Sequence, residues 1–507
     1  MNLRGLMKQE TTRRLCLIEQ LYYAKDLLSS EQLMEVLNCS LPALISDIRF
    51  LNEETLPIKI KKKKGLYSIE FDQFATIDIV YAYILRTSLE FQVIECLFFE
   101  KSRGIQIAAD HLNCSFSNMQ RYLKNIKHKL ATWDISVHHR PLRVAGDEAI
   151  LRQFYYLFFR EARMAFVDYG FSKELLNSVD YLLRQLLKEN QIDNNMNVHF
   201  QLMHSFLIGL QRLKNGHSMK KLSNESGLKL PAFDQLERLT KLIKRETGID
   251  FTESSLKECL WPLFSHQLIL NRQQQLFAIQ KNTRLANFYE SHHLLLNRIS
   301  ELLDTPLSQA EIVENLRLLG NSLFCYQPNK RSVEILQETQ ATMLKLIDKK
   351  YSRELRKIRT VVEDFLPSQQ HNSFTELYIS LLVTSISHLL QRLVAADQPI
   401  KVLLLSDTST THERFWHSIF PAFIKGAVNY DYFSSPFIQQ EQLTNLTKRY
   451  DLIVTNVTMT ELKSACPLIA INAYPTAQDF ERIQQFVNCF EPLPLRKEYY
   501  NELTPTS

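Results

Sequence analysis

The sequence predicts a mainly α, multidomain protein. It reads as two N-terminal winged helix-turn-helix units (residues 1–72 and 73–149), two all-helical bundles (150–282 and 283–397) and a small C-terminal α/β domain with a parallel sheet (398–507). Three observations carry that reading. Leu37-Asn38-Cys39-Ser40 recurs as Leu112-Asn113-Cys114-Ser115, seventy-five residues later. Each copy has a short amphipathic run before it and a longer one after it, the order of a helix-turn-helix. Glycine is scarce, 11 residues in 507, which disfavours Gly-rich nucleotide loops and turn-dense β architectures. Beyond Lys401, short β-rich runs alternate with helical ones, as in a parallel α/β domain.

In the first unit, residues 12–24 carry Leu15, Ile18, Leu21 and Tyr22 on one helical face. A second helix starts after Ser29, with Gln32 placed to complete a capping box, and ends at Asn38. Ser40 is positioned to cap the third helix, with Pro42 in its first turn, where a missing N–H costs least. Ile58-Lys59-Ile60-Lys61 then alternates as a strand, Lys64-Gly65 turns, and Leu66 to Ile69 returns, which makes a wing. The second unit repeats this with helices at 85–100, 106–112 and 117–132 and a hairpin from Ile135-Ser136-Val137 and Leu142-Arg143-Val144. Cys39 and Cys114 read as small apolar residues between closely packed helices.

Charge gathers on these two units. Residues 115–145 carry a net +5 and residues 40–65 a net +3, whereas 398–507 hold nine bases against eleven acids. A third helix inserted into the major groove of double-stranded DNA, with a wing over the phosphates, needs such a surface. Ser117, Asn118, Gln120 and Arg121 are the candidates for base contacts in the second unit. Lys124, Lys127, His128, Lys129, Arg140 and Arg143 suit phosphates there. In the first unit the third helix offers Ala43, Ser46 and Asp47, a poorer reading face. Its backbone contacts are expected from Arg49, Lys59 and the run Lys61, Lys62, Lys63 and Lys64. The competing reading makes the units protein-contact modules and the lysine run a solvated turn.

From Ile150 to about Ala396 the chain predicts helices at 150–163, 173–189, 198–214, 231–245, 252–272, 285–300, 311–324, 334–349, 354–365 and 374–393, with linkers near 215–230 and 273–282. None of these segments contains a metal box, a triad or a phosphate loop. Beyond them, strands are expected at 401–405, 429–433, 450–455 and 468–472 and helices at 413–425, 440–448 and 477–489. The eight cysteines form no CxxC pair and no Cys/His zinc spacing. They read as free thiols in a reducing cytosol, and no metal or cofactor is expected. No apolar run approaches the ~18 residues of a membrane span, so a cytoplasmic protein with no membrane partner is expected.

This order of modules resembles the Mga/AtxA-like family of global virulence regulators of Gram-positive bacteria. The likeness rests on the paired N-terminal units, on Lys-Val-Leu-Leu-Leu-Ser-Asp-Thr-Ser (401–409) and on Arg-Tyr-Asp-Leu-Ile-Val-Thr-Asn (449–456); the last two are similar to the IIB component of the sugar phosphotransferase system (PTS). The resemblance implies a DNA-binding transcription regulator, an activator, and not an enzyme. It implies PTS-regulation domains (PRDs) in the helical modules and self-association as a homodimer or higher homo-oligomer. It also implies histidine phosphorylation with the PTS phosphocarrier protein as partner, the candidates being His204 and His266 in the first module and His388 in the second. A packed histidine is the competing reading for each. A catalytic IIB domain carries a cysteine after its first strand; here that position is Ser406. The resemblance therefore implies a fold retained without phosphotransfer, with Ser406, Thr408 and Ser409 in either an anion-binding loop or a solvated turn. The alternative function is a PTS-related scaffold or phosphotransfer component whose N-terminal repeats bind protein. A weaker one is an RNA-binding antiterminator.

Overall fold

The computed structural model describes residues 3–24, 26–192, 196–219, 222–323, 335–337, 339–367, 371–406, 408, 410–432, 448–456 and 466–490. They fall into two compact units, residues 1–287 with 320–338, and residues 288–319 with 339–507. The protein is mostly helical, with helix-turn-helix units at the N-terminal end and a parallel sheet at the C-terminal end.

The first unit opens with a short 3-10 turn, Leu3–Leu6, followed by α1 (Gln9–Tyr23), β1 (Leu28–Ser29), α2 (Ser30–Leu37), α3 (Leu41–Glu53), β2 (Ile58–Lys63) and β3 (Leu66–Phe71). The capping box forms as expected: the Gln32 amide donates to Ser29 Oγ (3.3 Å) and the Ser29 amide to Gln32 Oε1 (2.8 Å). Lys64 and Gly65 both take positive φ, 52° and 84°, the two-residue turn that matches the twist of a hairpin. The two-residue β1 adds to the free edge of β3, a third strand too short to be visible as a pattern.

The second copy comprises α4 (Asp78–Thr87), α5 (Leu89–Phe99), α6 (Ile105–His111), α7 (Phe116–Leu130), β4 (Ser136–His139) and β5 (Leu142–Ala145). The single helix expected at 85–100 is two, because Ser88 is extended (φ −76°, ψ 131°) and both closes α4 and opens α5. α5 is buried on nearly every face, so its sequence lacks the amphipathic phase that would have marked the break.

Helices α8 (Glu148–Glu161), α9 (Lys173–Glu189), α10 (Met196–Lys214), α11 (Glu237–Thr247), α12 (Glu253–Cys259), α13 (Trp261–Phe264) and α14 (Arg272–Lys281) follow. A Cβ on Gly209 would lie 2.9 Å from Cys259 Cα and Glu258 O; only glycine lets α10 and α12 cross this closely. The helix expected at 252–272 is broken after Cys259, and the expected linker at 273–282 is α14. Its glutamines misled the reading: Gln274 is buried, donating to Leu268 O (3.1 Å) and accepting from the Leu270 amide (2.7 Å).

Helices α15 (Thr283–Ser300), α16 (Gln309–Leu323), α17 (Thr339–Phe365), α18 (His371–Ser385) and α19 (Leu389–Ala396) come next. Within α17 the backbone leaves the helical region at Tyr351 (φ −131°, ψ 37°), in the gap between the helices expected at 334–349 and 354–365. The helix expected at 374–393 is instead α18 and α19, bent by 91°, with His388 left-handed (φ 54°) at the bend. The C-terminal part of the second unit is β6 (Ile400–Leu405), α20 (Thr410–Phe423), β7 (Val428–Tyr432), β8 (Leu452–Thr455), β9 (Leu468–Ala470) and α21 (Ala477–Cys489). Its strands are parallel in the order β7-β6-β8-β9. Val402, Leu404, Trp416, Phe420, Val454 and Ile483 form its core. The helix expected at 440–448 falls outside the described residues, apart from Lys448. Among the described residues no single helix is long and apolar enough to cross a membrane.

Candidate nucleic-acid interface

The repeated tetrapeptide makes the same turn twice. Asn38 and Asn113 are both left-handed, with φ 46° and 50°, a conformation asparagine tolerates better than most residues. The next amide then closes the preceding helix: Cys39 N–H donates to Met34 O (3.1 Å) and Cys114 N–H to Ala109 O (2.9 Å). Leu44 and Leu51 in α3 match Met119 and Ile126 in α7, all four buried. One local difference stands out. Ser115 Oγ accepts the Asn118 amide (3.2 Å), whereas Ser40 occupies the cap position without making that bond.

With the two helices in register at an offset of seventy-five, the exposed faces can be compared residue by residue. α7 presents Ser117, Gln120, Arg121, Lys124, Asn125 and His128 where α3 presents Pro42, Ile45, Ser46, Arg49, Phe50 and Glu53. The first set is polar and basic. The second has apolar groups in the places that would meet base edges. Asn118 is half-buried, and Lys127 is exposed.

Three expected surface residues are placed otherwise. Asp47 is buried, its carboxylate taking the Nε–H of Arg13 (2.5 Å) and of Arg14 (2.8 Å), while the Arg14 guanidinium lies 3.6 Å over the Phe50 ring. It anchors α3 to α1 and reads nothing. Lys129 is half-buried under the N-terminal 3-10 turn, its Nζ 3.5 Å from where a Cβ on Gly5 would stand. Arg143 is half-buried on β5 with its Nε enclosed. Arg140 remains exposed at the wing turn.

In the first wing, Lys59, Lys61 and Lys63 alternate with Ile58 and Ile60 and point to solvent. Lys61 Nζ pairs with Glu70 Oε2 (2.6 Å), which offsets its charge. Lys62 lies on the isoleucine side, its Nζ 5.1 Å from the Tyr67 ring centre. Lys63 and Lys64 are exposed at the tip.

Beneath the second copy sits a buried ionic cluster. Arg152 and Arg212 are fully buried. Arg152 donates to Glu258 O (2.8 Å), Glu258 Oε2 (3.1 Å) and Glu148 Oε2 (3.3 Å). Arg212 donates to both Glu148 oxygens and to Glu100 Oε1 (3.1 Å), and His217 Nε2 lies 2.6 Å from the same Glu100 oxygen. Burial alone would raise the Glu148 carboxyl, but Arg212 and Arg152 hold it below the ordinary carboxylate value. The cluster bolts α5 to α8, α10 and α12. Two arginines reaching across residues 100–258 leave no local signal in the sequence.

The histidine candidates separate by exposure. His204 is fully buried among Phe166, Phe200, Tyr156 and Tyr169, with Nδ1 2.9 Å from the Tyr169 hydroxyl, and burial lowers its pKa to about 4. His266 is also buried, and burial lowers its pKa. Both are packed histidines. His388 is exposed, at the bend between helices and not within one as expected. The sequence reading passed over His199, whose Nε2 lies 2.7 Å from Asp180 Oδ1. The pair joins α10 to α9, nineteen positions apart with no spacing to reveal it.

After β6, the loop that would cradle an anion is served by the chain itself. Ser406 N–H donates to Glu413 Oε1 (3.4 Å), and the Ser406 hydroxyl lies 2.7 Å from His412 Nδ1. A carboxylate in that position opposes an anionic ligand. Ser409 lies outside the described residues.

Residues 73–159 match the Mga helix-turn-helix domain. The match covers the second copy and most of α8, and therefore includes Glu148 and Arg152 of the buried cluster. Over 90% of its length the chain is 21% identical to a Streptococcus pneumoniae serotype 4 protein named as a trans-acting regulator, covering 93% of that protein. It is 26% identical to the capsule synthesis positive regulator AcpA of Bacillus anthracis, over 42% of this chain and 44% of that one. It is 20% identical to the capsule synthesis positive regulator AcpB of the same organism, over 95% and 99%. These matches bear out the resemblance to the Mga/AtxA-like regulators.

Proposed function

We propose that this chain is a transcription activator that binds double-stranded DNA with a division of labour: the second winged unit reads sequence and the first grips the backbone. The observation that carries the proposal is the face of α7, where Ser117, Gln120, Arg121 and Lys124 stand exposed in one stripe above a buried core. Arg and Gln are the side chains that pair bidentately with guanine and adenine edges. Lys124, Lys127, His128 and Arg140 take phosphates on that side. In the first unit Arg49, Lys59, Lys63 and Lys64 take phosphates, with Lys61 and Lys62 contributing less because of Glu70 and Tyr67. Lys129 and Arg143 leave the contact set. The regulators to which the chain is similar are named as acting positively on capsule synthesis, which supports activation.

Histidine phosphorylation by the PTS phosphocarrier falls to His388, the one candidate of the three with an exposed ring. The C-terminal α/β domain, its anion loop filled by Glu413, serves homo-oligomerisation and not phosphotransfer. The test is selection of duplexes from a random-sequence pool by the full-length chain and by Arg121→Ala. A motif recovered by the first and lost by the second is expected. A motif that survives the substitution unchanged contradicts base reading by α7, and recovery of no duplex contradicts DNA binding.

A further inference from the structure

A three-residue strap, Ile335 to Gln337, lies near the end of the stretch Gly320–Glu338 that belongs to the first compact unit. Two residues beyond Gln337, at Thr339, the chain enters α17, a helix of the second compact unit. Ile335 and Leu336 are buried in the core that contains the winged units. Its polar bonds reach three parts of that unit. Leu3 N–H donates to Ile335 O (2.7 Å), and Arg4 Nε donates to Leu336 O (2.8 Å). The amides of Leu336 and Gln337 both donate to Glu161 Oε1 at the end of α8 (2.7 and 2.9 Å). Gln337 Nε2 donates to Asp78 Oδ1 at the start of α4 (3.0 Å).

The N-terminal residues held by the strap are themselves a junction. Arg4 donates through both Nη atoms to the Glu19 carboxylate in α1 (2.8 and 2.5 Å). The Tyr81 hydroxyl of α4 donates to the same carboxylate (2.6 Å), so one acid joins the first winged unit, the second and the N-terminus. The turn Leu3–Leu6 also packs on α7, with Lys129 over Gly5. An unbroken series of contacts therefore runs from the strap through Leu3 and Arg4 to the carboxyl half of α7.

We infer that the strap is a coupling device: how firmly Ile335 to Gln337 are held is transmitted through the N-terminal turn to the recognition helix α7 and to the joint between the winged units. Coupling is reciprocal, so a ligand on α7 must restrain the strap by the factor with which the strap alters that ligand's affinity. The second statement rests on the proposed DNA binding; the first does not.

Hydrogen–deuterium exchange on the full-length chain separates the two. In protein without DNA, Glu161→Gln and, independently, Leu336→Asn are expected to speed exchange at least threefold in residues 3–7 and in the last turn of α7, residues 126–130. Residues 44–51 of α3 serve as the control and stay unchanged. If the strap amides exchange faster while residues 3–7 and 126–130 keep their rates, the coupling is refuted. The second arm adds a 30-base-pair duplex: slower exchange at 335–337, and an affinity for that duplex altered at least threefold by Glu161→Gln, are expected. A chain that binds the duplex without either effect overturns the link to recognition. A chain that binds no duplex overturns the proposed function and leaves the first arm to decide the coupling.

Discussion

The two winged units share a turn, a core register and a strand-turn-strand wing, and they differ almost entirely in what their third helices show to solvent. Leu44 and Met119, Leu51 and Ile126, Asn38 and Asn113 fill equivalent places. Gln120 and Arg121 face Ile45 and Ser46 across the duplication. The foundations differ as well: α3 is held by Asp47 between two arginines of α1, and the second unit stands on the Arg152–Arg212 cluster. The two copies share the parts that a helix-turn-helix needs to fold and differ in the parts they expose. Fold and function can thus be read off different positions of the same helix.

The foundations give the largest predicted effects. Asp47→Ala leaves Arg13 and Arg14, each about one-fifth exposed, without their carboxylate and is expected to cost about 1.5–3 kcal/mol, with loss of exchange protection confined to the first winged unit. Glu148→Gln removes a charge from the fully buried Arg152 and Arg212 and is expected to cost about 3–5 kcal/mol in the second winged unit. Glu148 has a folded pKa below its ordinary value of 4.5, so the stability it contributes is present above pH 4.5 and lost as pH falls through the folded value. Melting temperatures of the wild type and Glu148→Gln should therefore differ at neutral pH and converge on acidification. A constant gap would show that Glu148 acts through packing and not charge.

Recognition comes next in size. Arg121→Ala is expected to cost about 1–3 kcal/mol on the preferred duplex and much less on others, whereas Ser46→Ala at the equivalent place should change neither. Equal losses from both would erase the proposed difference between the helices. Replacing Lys62, Lys63 and Lys64 together with alanine should weaken all duplexes alike and reduce the slope of log affinity against log salt by about 2–3. The smallest effects test what the copies share: Asn38→Gly and Asn113→Gly should each shift stability by under about 1 kcal/mol, and by similar amounts. Unequal shifts would mean that the two turns are not equivalent.

The shared parts are also the parts legible in the sequence. The left-handed asparagine, the Ser29–Gln32 box, the Lys64-Gly65 turn and the apolar strands around Leu403 are local requirements, met by residues within a few positions of one another. The parts that escaped depend on distant partners. Asp47 lies three residues after Leu44 and four before Leu51, on the buried stripe of α3, yet a carboxylate there reads as surface until its partners Arg13 and Arg14 are known. Lys129 looks like a phosphate contact until the N-terminal turn covers it. Gln274 and Gln275 read as a polar linker because their hydrogen bonds within α14 and its approach were not visible. His199 with Asp180, and the strap at Ile335 to Gln337, join segments with no periodic relation.

The division of labour between the two units can be measured in a single matrix of affinities for the full-length chain. Wild type, Arg121→Ala and the Lys62, Lys63, Lys64 triple alanine variant are each titrated against a selected duplex and a scrambled one at two salt concentrations. The account predicts that Arg121→Ala narrows the selected-to-scrambled ratio and keeps the salt slope within about one, while the triple variant keeps the ratio and flattens the slope. The reverse pattern, or a triple variant that loses selectivity as Arg121→Ala does, would contradict it.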